Sequence, residues 1–124
     1  HRPQSVHLRD DTELLEHVLS LSGTDPRLLA DEELRELILP ALRADYTAIE
    51  THTPDPAARV DCPITVFTGD RDPQLPVSDA RAWSAHTSGR CDLRVFPGAH
   101  FYLSDHPRDV AAAVGDAVAA IRRA

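Results

Sequence analysis

The fold is decided by two segments, PITVFTGDRDP at residues 63–73 and DLRVFPGAH at residues 92–100. Each begins with an apolar run and ends in a turn rich in Gly, Pro and Asp, a pattern typical of a buried strand followed by a loop. Residues 77–87 between them can form a helix. A strand, a helix and a second strand predict parallel neighbours joined by a right-handed crossover, and thus an α/β fold.

Each turn carries one side chain that is typical of catalytic sites, Asp72 in the first and His100 in the second. Ligands of parallel sheets bind beyond the carboxyl ends of the strands, so we expect the two side chains to meet there. A carboxylate that accepts the Nδ1 proton of a histidine leaves Nε2 free to deprotonate a nucleophile. Asp70 is the alternative acid, and a turn carboxylate that caps the next helix is the simpler alternative for both aspartates.

Composition excludes several classes of function. The formal charge is −7, from 20 acidic residues and 13 basic ones that are all arginine, which argues against nucleic acid as a partner. No apolar run approaches the roughly 20 residues of a membrane helix, and the first residues do not read as a signal peptide, so we expect a cytoplasmic protein without a membrane partner. Cys62 and Cys91 are too few for a cysteine-rich zinc site. Each lies just before a predicted strand, so a disulfide between them is conceivable, but we expect thiols. No metal or other cofactor is expected.

Residues 1–57 and 58–124 differ in character, and we predict a domain boundary between them. The first part reads as an irregular leading segment to residue 10 followed by leucine-rich helices. The first helix is expected to begin with Asp11 or Thr12 as its N-cap, and Gly23 ends it. A short helical turn follows at residues 26–29, and another helix begins at residue 31. Pro40 costs about 3 kcal/mol inside a helix and should kink or end that one, with a restart to about residue 52.

Residues 58–124 supply the strands and their helices. Trp83 is expected in the core, whereas four histidines are expected at the surface: His7, His17, His52 and His86. His106 is expected to start the last helix. Two parallel strands cannot cover both of their faces, and parallel sheets are almost always buried. Additional strands are therefore expected to come from outside this chain.

The sequence resembles the type II, or editing, thioesterases of nonribosomal peptide and polyketide synthase clusters. The resemblance covers nearly the whole chain and is carried by LPALRADY at 39–46, CPIT at 62–65 with GDRDP at 69–73, AW at 82–83 and FPGAHFYL at 96–103. It implies the C-terminal part of an α/β-hydrolase fold, its last parallel strands and helices, preceded by a helical lid that spans residues 11–52.

The resemblance also implies a function and its residues. It implies a cytoplasmic serine hydrolase that removes misloaded or stalled acyl groups from the phosphopantetheine arm of acyl or peptidyl carrier proteins. Asp72 and His100 match the acid and base of the family's triad. The implied substrate-binding residues are Leu39, Leu42, Tyr46, Ile49 and Phe101, although an apolar stripe on a helix is at least as well explained by core packing.

Two departures from the family pattern matter. Gly98-Ala99-His100-Phe101 stands where the family commonly has Gly-Gly-His-Phe. No Gly-x-Ser-x-Gly nucleophile motif occurs, and the serines at 5, 20, 22, 78, 84, 88 and 104 lie in other contexts. We therefore expect the serine from an N-terminal half of the hydrolase outside this chain, and the chain alone to be inactive. The alternatives are a generic esterase of the same fold and a non-catalytic remnant that binds carrier proteins.

Overall fold

The computed structural model describes residues 5–21 and 23–123. The chain divides into two compact units, His1–Ala58 and Arg59–Ala124. Of the predicted leading segment, residues 1–4 lie outside the described residues, and so does Ser22. No helix in the described ranges combines the length and the apolar character that crossing a membrane requires.

All the regular secondary structure described in the first unit is helical. A 3₁₀ turn at Val6–Leu8 precedes three helices, which are α1 at Asp11–Ser20, α2 at Pro26–Ala30 and α3 at Glu32–Thr51. The 3₁₀ turn packs against α1 and α3, and α2 packs against α3. The buried apolar side chains that these contacts enclose are Val6, Leu14, Val18, Leu21 and Leu29.

An aspartate caps each of the three α-helices by accepting a hydrogen bond from a backbone N–H in the first turn. The predicted N-cap of α1, Asp11 or Thr12, is wrong. The N-cap is Asp10, whose Oδ1 lies 2.8 Å from the amide nitrogen of Glu13. Asp11 is already helical, and only a residue with extended backbone, as Asp10 has, can turn its side chain back onto the first turn.

Pro40 does not end the long helix, since α3 continues through it from Glu32 to Thr51 as one element. Proline removes the N–H that would donate to the carbonyl of Glu36 four residues earlier. Glu36 and Pro40 are both exposed, so water can satisfy that oxygen. The contacts of α3 with the Val6–Leu8 turn and with α2 favour the helical state of the segment.

Two residues of α3 hold the Val6–Leu8 turn in place. The Glu50 carboxylate accepts from the amide nitrogens of Val6 at 2.9 Å and His7 at 3.0 Å, and it also contacts His7 Nδ1. Arg43 donates to the carbonyl oxygens of His7 and Arg9, each at 2.7 Å. The side chain of His7 is only 17% exposed, so the prediction of a surface histidine is wrong.

The second unit contains the predicted strand pair. Strands β1 (Ile64–Gly69) and β2 (Cys91–Phe96) are parallel, in a register that pairs Ile64 with Cys91 and Gly69 with Phe96. Helix α4 at Val77–Arg81 and a 3₁₀ helix at Ala82–His86 connect them and contact both strands. After β2 come a short helix that the sequence did not predict, α5 at Tyr102–Asp105, and α6 at Pro107–Arg122, which His106 precedes as expected.

Much apolar surface of the second unit is uncovered. Trp83 is 50% exposed, so its prediction as a core residue is wrong for the described chain. On β2, Val95 is 45% exposed, and the apolar face of α6 is open at Val114, Val118 and Ile121. Only two strands form the sheet among the described residues, and two strands offer too little surface to cover the apolar faces of the helices and the sheet.

Candidate functional site

The turns that follow β1 and β2 lie side by side at the carboxyl ends of the strands. Beyond the last strand pair, the amide of Asp70 donates to the Phe96 carbonyl and the amide of Arg71 donates to the Gly98 carbonyl, both at 2.9 Å. The two turns are adjacent because the strands are parallel and both end at the same edge of the sheet. The two turns therefore form one connected surface rather than two independent loops.

Asp72 and His100 meet on that surface, as the sequence predicted. The Asp72 Oδ2 atom lies 3.0 Å from His100 Nδ1. The Asp72 side chain is only 5% exposed, whereas the His100 side chain is 39% exposed. The other carboxylate oxygen of Asp72, Oδ1, accepts a hydrogen bond from the amide nitrogen of Gln74 at 2.8 Å. A nearly buried carboxylate with both oxygens engaged thus supports a histidine that solvent can reach.

This contact determines what the imidazole ring can do. An ionised carboxylate only accepts hydrogen bonds, so the bond at Nδ1 requires the proton of a neutral ring to lie on that nitrogen. The Nε2 lone pair then remains available to accept a proton from another group. A carboxylate at this distance also stabilises the imidazolium that results. The pair can therefore act as a general base, and as a general acid in the reverse step.

The structure distinguishes between the two candidate acids by position. Asp70 does not contact the His100 ring; its Oδ1 atom instead accepts from the amide nitrogen of Gly98 at 2.8 Å. Its side chain is 51% exposed, and Arg71 Nε lies 3.6 Å from the same oxygen. The residue brought to the histidine is thus Asp72. The catalytic role of the pair itself stays a prediction.

Aromatic rings pack around the histidine loop. Tyr102 stacks on Phe96 with ring centroids 5.3 Å apart, and Phe101 meets the His100 ring edge to face at 5.1 Å. Burial, with a smaller contribution from the negative charge of Asp72, raises the pKa of Tyr102. The FPGAHFYL motif places Phe101 and Tyr102 directly after His100, but the spacing does not reveal which ring turns toward Asp72.

Four of the residues with an implied role in substrate binding lie on α3 in the first unit. Tyr46 is half-buried there, with its ring centroid 5.4 Å from that of His17 in an edge-to-face arrangement, and burial followed by the charge of Glu50 raises the pKa of Tyr46. Ile49 is 69% exposed. The two leucines, Leu39 and Leu42, are half-buried. A role of these residues, or of Phe101, in binding substrate stays a prediction.

Other chemistry finds little support in the part of the chain that the structure describes. No group of three or more His, Cys, Asp or Glu side chains there could hold a metal ion. Cys62 and Cys91 are both free thiols. The sequence contains no Gly-x-Ser-x-Gly motif beside the Asp72–His100 pair. The described site thus pairs a solvent-accessible histidine with a nearly buried carboxylate, and the source of a nucleophile stays a prediction.

Comparison with protein families gives a match to the thioesterase domain over residues 1–118. Among curated proteins, the chain is 45% identical over 111 residues to the thioesterase PikA5 of Streptomyces venezuelae, covering 90% of this chain and 40% of that protein. It is 47% identical over 105 residues to a probable cadicidin biosynthesis thioesterase of Streptomyces griseus, covering 85% and 29%. The chain thus spans less than half the length of these relatives.

A comparison with solved structures also gives a thioesterase. The type II thioesterase BorB from the borrelidin biosynthetic cluster superimposes with a TM-score of 0.77 at 41% identity, and the match covers 93% of this chain and 48% of BorB. The expected fold, part of an α/β-hydrolase with a preceding helical segment, is confirmed by this likeness together with the parallel strand pair. The partial coverage agrees with the expectation that other strands complete the sheet.

Proposed function

Because the chain belongs to the thioesterase domain family, we propose that it contributes the acid and the base of a serine-type thioesterase. Its substrates in this proposal are misloaded or stalled acyl groups on the phosphopantetheine arm of acyl or peptidyl carrier proteins, in the biosynthesis of peptide and polyketide natural products. The serine belongs to an N-terminal half of the hydrolase outside residues 1–124. A cytoplasmic location and no cofactor are parts of the same proposal.

The observation that carries the proposal is the 3.0 Å contact between Asp72 Oδ2 and His100 Nδ1 at the ends of adjacent parallel strands. The histidine is exposed enough to meet a nucleophile and a substrate from outside the unit, whereas the aspartate is buried. A histidine held by its Nδ1 atom in this way is the arrangement that a serine nucleophile requires.

Acyl transfer to the enzyme proceeds in two proton movements. His100 Nε2 takes the proton of the serine hydroxyl as its oxygen attacks the thioester carbonyl carbon, and Asp72 stabilises the imidazolium. The tetrahedral intermediate collapses by breaking the carbon–sulfur bond. His100 returns the proton to the departing thiolate, so the phosphopantetheine leaves as a thiol and the acyl group remains as a serine ester.

Hydrolysis of that ester repeats the sequence with water. His100 Nε2 takes a proton from water as the water oxygen attacks the ester carbonyl, and then gives the proton to the serine oxygen. The products are a free carboxylic acid and the regenerated serine. Because the carrier protein leaves after the first half of the reaction, it returns to the synthase with a free thiol.

The proposal is tested on the complete polypeptide that carries residues 1–124, with an acyl group attached to a carrier protein. We expect His100→Ala and Asp72→Asn to lower kcat about 10³-fold or more. His52→Ala serves as the matched control, since His52 is an exposed histidine at the end of α3, and it should retain the original rate. Turnover by His100→Ala at the rate of the unmodified enzyme would contradict the proposal.

Substrate preference separates the thioesterase from the other functions compatible with the fold. A higher kcat/KM for the carrier-bound thioester than for the corresponding oxygen ester supports the thioesterase, and the reverse preference identifies a generic esterase.

The lack of a nucleophile motif in this sequence favours a second candidate, a non-catalytic module that binds carrier proteins. Carrier binding by the complete polypeptide without hydrolysis of either ester would identify that module.

A further inference from the structure

A second side-chain hydrogen bond joins the two turns of the site beside the Asp72–His100 contact. Asp70 Oδ1 accepts from the amide nitrogen of Gly98 at 2.8 Å. Both side-chain bonds connect residues 28 apart in the sequence. The Asp70–Gly98 bond and the Asp72–His100 bond thus lie side by side, and the second is two residues further along each turn. The mechanism proposed above uses only the second of these two bonds.

Gly98 is the residue at which the histidine loop is anchored. Its N–H donates to Asp70, and its carbonyl accepts from the amide of Arg71 at 2.9 Å. Its φ angle is +140°, a conformation that residues other than glycine rarely adopt. Glycine reaches this conformation at little cost, and here both of its backbone polar groups are hydrogen-bonded to residues 70 and 71.

We propose that Asp70 is a positioning residue for His100: by fixing the Gly98 amide, it sets where the histidine loop leaves β2 and so keeps His100 Nδ1 on Asp72. Asp70 acts through the backbone and does not touch the imidazole ring. The inference that Asp70 affects turnover rests on the proposed thioesterase function. Its effect on the orientation of His100 does not depend on that function.

The exposure of Asp70 explains why a carboxylate stands at this position. With its side chain 51% exposed, the hydrogen bond to Gly98 competes with water, and a charged acceptor makes a bond about twice as strong as a neutral one. Arg71 Nε lies 3.6 Å from the same oxygen, an exposed ion pair that adds little to the hydrogen bond. An asparagine would keep a weaker acceptor at this point, and an alanine would remove it.

Three variants of the complete protein test the inference. Asp70→Ala removes the acceptor, and Asp70→Asn retains a neutral one. Asp61→Ala is the matched control, because exposed Asp61 also accepts a hydrogen bond across the two chain segments, from Ser88 Oγ at 3.0 Å, before the strands begin. Two readouts are used: long-range proton–nitrogen spectra of nitrogen-15-labelled histidine rings, with His100→Ala identifying the His100 signals, and kcat and KM on an acyl carrier protein.

We expect a single His100 tautomer with its proton on Nδ1 in the unmodified protein and in Asp61→Ala. Asp70→Ala should show both tautomers, with kcat lowered about tenfold and KM changed by less than about twofold, because the loop shifts the base and leaves substrate binding intact. Asp70→Asn should lie between the two. If Asp70→Ala does not fold, the same two readouts on Asp70→Asn and the unmodified protein test the positioning role.

An unaltered His100 spectrum and unaltered kcat in the folded Asp70 variants would overturn the positioning role. That result leaves the proposed function intact when the unmodified protein hydrolyses the thioester. Conversely, a shift of the His100 spectrum in Asp70→Ala, with no hydrolysis by any variant or by the unmodified protein, supports the positioning role and counts against the thioesterase.

Discussion

Gly69 leaves no room for a side chain, because a β-carbon at this position would lie 2.5 Å from the carbonyl oxygen of Ala99. The carbonyl oxygen of Gly98 would lie equally close. Both atoms belong to the backbone of the histidine loop and cannot rotate away. The end of β1 and the loop that carries His100 are therefore in direct backbone contact, and this contact brings Asp72 within reach of the ring.

We expect Gly69→Ala to destabilise the protein by about 1–3 kcal/mol, as overpacking does in a filled site. The displaced loop should also separate Asp72 from His100 and lower kcat. Urea unfolding of the complete protein measures the first effect, and thioester hydrolysis measures the second.

Gly115→Ala is the control for this substitution. Gly115 lies within α6, and a β-carbon there would meet nothing within 4 Å. Alanine in a helix is favoured over glycine by roughly 0.5–1 kcal/mol, so this variant should be slightly more stable than the original. Equal free energies of unfolding for the two alanine variants would contradict the packing argument.

The sequence was sufficient to predict the strand pair and the meeting of Asp72 with His100. Apolar runs that end at Gly69 and Pro97 mark the strand ends, and parallel pairing alone then places the turns together. The residues alone left Asp70 as the alternative acid, since both aspartates lie in the same turn and differ only in the direction of their side chains, and the family resemblance favoured Asp72. That direction depends on hydrogen bonds to residues 28 positions away.

The burial of His7 and the exposure of Trp83 share one physical cause. The sequence predicts a surface position for His7, yet Glu50, 43 residues away, accepts its backbone N–H and contacts its ring, and the His7 side chain is only 17% exposed. The sequence predicts Trp83, between the two strands, as a core residue, yet half of its surface is uncovered by the described chain. Burial is decided by distant partners, which local patterns do not reveal.

Glu50 should make the attachment of the Val6–Leu8 turn depend on pH. Burial alone would raise the pKa of Glu50, but the hydrogen bonds from His7 and Val6 together hold it below its ordinary range. A lowered pKa in the folded state means that the stabilisation is complete above the ordinary glutamate pKa, about 4.3, and is lost as the pH falls through the folded value.

Glu50→Gln should therefore weaken the protection of the Val6 and His7 amides against hydrogen exchange at neutral pH. The expected loss corresponds to about 1–3 kcal/mol, because buried donors then face a neutral and partly mismatched acceptor. The difference in amide protection between Glu50→Gln and the unmodified protein should shrink as the pH falls below about 4, because the Glu50 carboxylate then becomes protonated. Glu36→Gln, an exposed position on the same helix, is the control and should leave both amides protected.

The charge of Asp72 should be detectable at Tyr102. Burial and then the negative charge of Asp72 raise the pKa of Tyr102, because both disfavour the phenolate. Asp72→Asn removes the charge and keeps the burial, so the pKa should fall but stay above the ordinary tyrosine value of about 10. An NMR titration of carbon-13-labelled tyrosine rings measures it, with Tyr102→Phe identifying the signal. Asp61→Asn, a change of the same kind at an exposed position, should leave the pKa unchanged. If Asp72→Asn also left it unchanged, the negative charge beside His100 that the base requires would not be present.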